Sequence, residues 1–219
     1  MANSPSQPLY DDTQGKFGPF SGQFLVGEMN RKRIVRVMLE EVGGELQGAC
    51  IPFLDDGDLR IGNNRLAFAP DGSLWVGQIA HGWLGTQGIQ RISYTGIPPM
   101  DIHEMRLIQN GFEISFTQPL DIDAALETDN YQLRHYFYEY KKKPYHEPVD
   151  ESTQSDLQNV KIQNIKVSPD HKTVTVRLPE VKKGYVYELK LANIRNQSGT
   201  PLSNTLICYT VNNLKSGIE

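Results

Sequence analysis

Between Asn64 and Gly77 the chain reads Asn-Arg-Leu-Ala-Phe-Ala-Pro-Asp-Gly-Ser-Leu-Trp-Val-Gly, and this stretch constrains the fold more than any other. Leu66 and Phe68 alternate with other residues before a Pro-Asp-Gly turn, and Leu74 and Val76 alternate after it. Alternation sends successive side chains to opposite faces of a strand. Proline fixes one turn dihedral, and glycine accepts the positive φ that a tight reversal needs. The expected element is a hairpin with one apolar face.

The same grammar recurs on both sides. Gly22 to Glu28, Arg33 to Glu40 and Glu45 to Phe53 read as three strands with short turns at 29–32 and Gly43-Gly44, a meander. In the second strand Val35, Val37 and Leu39 share one face and Arg36 and Met38 the other. Ile89 to Tyr94 is a further strand, and Thr95-Gly96-Ile97-Pro98-Pro99 breaks the pattern, because consecutive prolines stop helix and ladder alike. Beyond the break, Ile102 to Ile108 and Phe112 to Thr117 flank an Asn110-Gly111 turn. A short helical turn is expected in 119–126, capped by Asp121 or Asp123. Tyr131 to Tyr140, Val160 to Val167, Thr173 to Leu178, Tyr185 to Leu191 and Leu206 to Val211 complete about seven strands, a β-sandwich pattern. The fold class is all-β. The expected organisation is a flexible lead-in at 1–20, blade-like meander sheets at 21–99, a sandwich at 100–213 and a tail at 214–219, with 141–156 an exposed excursion.

Charge and length narrow the function classes. The formal net charge is −4 over 219 residues, with 8 basic and 10 acidic side chains in residues 1–100 and 14 and 16 thereafter. Neither half is basic enough for a phosphate backbone, so no nucleic-acid partner is expected. No window of about 18 apolar residues suggests membrane insertion. The polar start lacks a signal peptide and reads as truncated, with an export signal expected outside this chain. Cys50 and Cys208 both occupy apolar, strand-like settings. Buried free thiols are the expected state, and a disulfide is the alternative.

Two resemblances organise these observations. Ile114-Ser115-Phe116-Thr117-Gln118-Pro119-Leu120-Asp121, the Tyr-rich run Gly184 to Leu189, and Gly199-Thr200-Pro201-Leu202 make residues 101–213 resemble bacterial Ig-like domains of the surface-layer type. Gly22 to Glu28 with Arg33 to Val37, Gly48 to Phe53 and the Asn64-to-Gly77 hairpin resemble the last blades of glucose/sorbosone-dehydrogenase-like and NHL-like β-propellers. Together they look like the C-terminal end of exported, auracyanin-like bacterial proteins. The resemblance implies partial β-propeller blades followed by an Ig-like sandwich, and a periplasmic or cell-envelope location, with cytoplasmic as the alternative. It implies the remaining blades or another protomer as partners, and carbohydrate as a candidate ligand. A propeller closes with about four to eight blades, and at most about two precede residue 99. No cofactor is therefore expected in this chain. Pyrroloquinoline quinone or calcium would belong to the full-length parent.

Few residues carry chemistry. His81 on the loop after the hairpin could serve as a base, and Trp83 beside it could stack on a sugar. Arg91 on the returning strand could steady an anion. None has a short-range carboxylate partner in the sequence, and each has an ordinary packing role as its alternative. Asp55, Asp56 and Asp58, with Asn63, are weak calcium candidates, a solvated acidic loop being the commoner case. His103, His135 and His146 lack zinc or copper spacing. Tyr136, Tyr138 and Tyr140 share one face of their strand with Gln132 and Arg134, either as a ligand platform or as covered sandwich residues. Lys141-Lys142-Lys143 would follow as a solvated edge. Three functions compete: a non-catalytic C-terminal structural or interaction module of a larger exported protein, a carbohydrate-binding module, and part of a quinone-dependent sugar-oxidising enzyme.

Overall fold

A computed structural model describes residues 1–55, 57–80, 86–139 and 153–215. It is all-β, with antiparallel sheets, and among the described residues there are one short α-helix and one 3-10 turn, and no sheet closes on itself. The chain divides into two compact units, residues 1–38 with 50–98, and residues 39–49 with 99–219. The division falls inside strands β3 (Ile34–Val42) and β4 (Glu45–Phe53), whose hairpin tip belongs to the second unit.

In the first unit the strands run β1 (Pro5–Tyr10), β2 (Phe24–Glu28), β3 and β4 in order, each beside the next. A three-stranded sheet of β5 (Asn63–Phe68), β6 (Leu74–Gln78) and β7 (Gly88–Ile92) completes it. The Pro-Asp-Gly hairpin is the β5–β6 pair, with Leu66 opposite Val76 and Phe68 opposite Leu74. Its turn is fixed by Gly72 at φ 85°, and by the Asp71 carboxylate accepting from the Ser73 amide and hydroxyl. Phe17, Leu25, Ile34, Leu59, Leu66, Leu74 and Val76 form the buried core.

One expectation for this unit changes. The lead-in is not loose. Residues 5–10 form β1, and Phe17 and Phe20 are buried. Glu28 anchors that start, because its buried carboxylate accepts from the backbone amides of Asn3, Ser4 and Asn30. In β3 both faces are covered at the start, where Val35 and Arg36 are buried, and Met38 stays buried while Leu39 is exposed. Arg36 tolerates burial because its Nη1 donates to Gln23 Oε1 at 2.7 Å and its guanidinium lies 3.7 Å over the Phe20 ring. Gly27 permits a close approach, because a Cβ would meet Ser6 Oγ and the Asn63 carbonyl.

The second unit sets one sheet against another. The order β12 (Asn164–Val167), β13 (Thr173–Arg177), β9 (Gly111–Phe116), β8 (Ile102–Ile108) makes one layer. The other runs β15 (Leu206–Thr210), β14 (Val186–Leu191), β10 (Tyr131–Tyr138), β11 (Gln154–Asn159), and the hairpin tip of β4 lies beyond β15. Phe112 of the first layer packs on Tyr187 and Tyr209 of the second, with centroids 5.1 and 5.3 Å apart. Their hydroxyls are satisfied. Tyr209 donates to Glu40 and accepts from Gln47, and Tyr187 accepts from the Lys182 amide. The Asn110-Gly111 turn joins β8 and β9, and the helical turn α1 (Ile122–Leu126) is capped by Asp121, which accepts from the Ala124 amide. β11 is a strand the sequence pattern misses. It is wholly polar apart from Leu157, and pairs with β10 across a bulge between His135 and Phe137.

Candidate binding groove

Strand periodicity builds the groove in the second unit. On β10 the side chains of Tyr131, Leu133 and His135 are buried, while Gln132 and Arg134 reach the opposite, outer face. Antiparallel pairing sets Gln132 beside Lys190 and Arg134 beside Glu188 on β14. The next strands place Leu206 beside Lys190 and Asn159 beside Arg134. Cross-strand neighbours on one face lie about 5 Å apart, so these side chains form one contiguous surface. A groove of about 570 Å³ opens over it, lined by Gln132, Arg134, Asn159, Glu188, Lys190 and Thr205 around Leu206.

Its floor carries an ion pair. Arg134 Nε donates to Glu188 Oε1 at 2.7 Å, and both side chains are largely withdrawn from solvent. The Tyr136 hydroxyl donates to the other oxygen, Oε2, at 3.4 Å. Burial first, then the hydroxyl of Tyr138, pushes the Tyr136 phenol far above its ordinary range, so it remains a neutral donor. Lys190 differs, being exposed, and its ammonium has no hydrogen-bond or ion-pair partner among the described residues.

The tyrosine row is thus divided. Tyr136 is only 3% exposed and is no platform, because Glu188 and the ring of Tyr138 cover it. Tyr138 stands 49% exposed, edge-on to Tyr136 at 5.3 Å. Tyr140 and Lys141 to Lys143 lie outside the described residues, as do His81 and Trp83.

Arg91 is engaged locally. It donates to Asp71 Oδ2 at 2.6 Å and to Ser73 Oγ at 3.1 Å, clamping the Pro-Asp-Gly turn beside Trp75. The hydrogen bonds that Asp71 accepts from the Ser73 hydroxyl and amide, and then the charge of Arg91, hold its carboxyl below the usual range. Asp55 forms a two-point pair with Arg33, at 2.7 Å for both bonds. Asn63 is buried and donates to the carbonyl of Arg33, while Asp56 lies outside the described residues. Among the described residues no group of three metal-ligating side chains occurs. Cys50 and Cys208 are half-buried, where buried thiols are the expected state, and are not joined in a disulfide; burial raises the pKa of Cys50.

Glu188, Lys190, Asn159, Thr205 and Leu206 were not singled out from sequence. The signal that exists is the pairing of Gln132 and Arg134 on one face of β10. Cross-strand register supplies the rest, and it cannot be read from either strand alone. Comparison of the chain with protein-family models, curated proteins and solved structures returns no match. No described helix is long and apolar enough to cross a membrane.

Proposed function

We propose that this chain is a non-catalytic interaction module whose second unit binds a saccharide in the β10–β14 groove. The observation that carries the reading is the groove's composition. Amides from Gln132 and Asn159, the Thr205 hydroxyl and a fixed Arg134–Glu188 pair surround the apolar side chain of Leu206. Sugar rings present hydroxyls on their rims and C–H groups on their faces, and such a lining matches both. Tyr138 adds an exposed ring on the same strand face, further along β10.

The wider reading follows from the same sequence motifs. We assign the second unit to the bacterial Ig-like class and the first to blade-derived β-structure, in a larger exported, envelope-located, sugar-dehydrogenase-like protein. The supporting features are two facing antiparallel layers and the Phe116-to-Asp121 motif, whose Asp121 caps α1.

The test is calorimetric titration of the full chain with a panel of oligosaccharides, repeated with the Gln132→Ala/Asn159→Ala double variant. Binding should weaken about thirtyfold in the double variant, since each of the two polar contacts contributes about 1 kcal/mol. Unchanged affinity in the variant, or sugar oxidation coupled to quinone-dependent dye reduction, would sink the proposal.

A further inference from the structure

The groove's charges are not balanced, and the imbalance names a ligand class. Arg134 and Glu188 neutralise each other at 2.7 Å, and the second oxygen of Glu188 is faced by the Tyr136 hydroxyl. Among the lining residues that leaves Lys190 as the one charge without a counter-charge. It sits two residues along β14 from Glu188, hence on the same face at about 7 Å. Directly opposite it are Gln132 on one side and Leu206 on the other, neither of which carries charge. A neutral sugar would leave the ammonium without a partner. A carboxylate would complete it.

We propose that the groove selects an acidic saccharide, a uronate-bearing chain whose carboxylate lies on Lys190 Nζ. This rests on the saccharide-binding reading above. Hydroxyls of the same residue then meet the amides of Gln132 and Asn159, and the Arg134–Glu188 pair serves as a fixed floor. The lysine is a point charge on a flexible stem, so it tolerates variation in carboxylate orientation along the chain.

Titration of the full chain with oligogalacturonate and with its carboxyl-reduced, neutral counterpart tests this. The acidic oligosaccharide should bind about fivefold tighter, as one partly exposed ion pair contributes up to about 1 kcal/mol. The advantage should shrink as sodium chloride rises. It should vanish in Lys190→Gln and survive in Lys190→Arg. Lys190 is exposed, so neither substitution disturbs the core. Equal affinity for the two oligosaccharides would overturn the acidic selectivity and leave the groove reading standing. So would a preference that persists in Lys190→Gln. Failure of both oligosaccharides to bind, with other neutral sugars also silent, would overturn the groove reading and this inference together.

Discussion

The two units bury polarity in different ways. The first places ionisable groups inside. Glu28 and Arg36 are both fully buried, the former gathering backbone amides at the chain's start and the latter seated on Phe20. The second buries the phenols of Tyr187 and Tyr209 and one carboxylate, Asp101, which accepts from the Ile102 amide and Asn204, and it carries its Arg134–Glu188 pair on the outer face. A buried charge is costly unless its partners are fixed, so the first unit spends its polar chemistry on holding backbone in place. The second leaves polar chemistry available at a surface. That contrast is why the candidate site lies in the second unit.

The contrast can be broken most strongly in the aromatic core. Phe112 is 1% exposed between two tyrosine rings, and Phe112→Ala should cost about 4 kcal/mol in urea unfolding. A loss below about 1 kcal/mol would mean that the facing layers do not pack as described. In the first unit, Glu28→Ala should cost about 3 kcal/mol, because three backbone donors lose a charged acceptor. Hydrogen exchange should show β1 losing protection before β2, and retained protection would contradict the anchoring role. Gly27→Ala should cost about 2 kcal/mol, since the added methyl meets the Asn63 carbonyl, which is backbone and cannot swing away.

The smallest expected effect is on pH dependence in the second unit. His135 is 6% exposed between the rings of Tyr185 and Tyr187, and neither ring nitrogen has a hydrogen-bond partner among the described residues. Burial, then the charge of Lys182, holds its pKa below the ordinary 6.5, against weaker opposing effects from Asp156 and Glu180. The folded chain therefore keeps the ring neutral where the unfolded chain protonates it. Its contribution to stability is complete above about pH 6.5 and is lost as pH falls below that value. His135→Phe should flatten the loss of stability between pH 7 and 5. An acid limb identical to the parent's would show that the ring is hydrated.

Much of this fold was legible in the sequence where structure is local. The β5–β6 hairpin, the Asn110-Gly111 reversal and the Asp121 cap each depend on residues a few positions apart. They occur where turn chemistry puts them. β1 was not legible, because Pro5 and Pro8 interrupt any strand pattern and its anchor is a carboxylate twenty-four residues from Ser4. β11 escaped for a related reason. An edge strand of polar residues shows no alternation, and its pairing is decided by β10. The burial of Arg36 was not legible, because it looks like a surface residue until Phe20 and Gln23 are brought to it. The site followed the same rule. Gln132 and Arg134 were visible as one face of a strand, but Glu188, Lys190 and Asn159 join them only through register.

The most direct test of the saccharide groove is a map of amide and side-chain shifts in the full chain titrated with oligogalacturonate. The expected perturbations cluster at Gln132, Arg134, Asn159, Glu188, Lys190 and Thr205, with residues 63–78 unmoved. Shifts centred on the Trp75–Arg91 face of the hairpin, with the β10–β14 surface silent, would contradict the account.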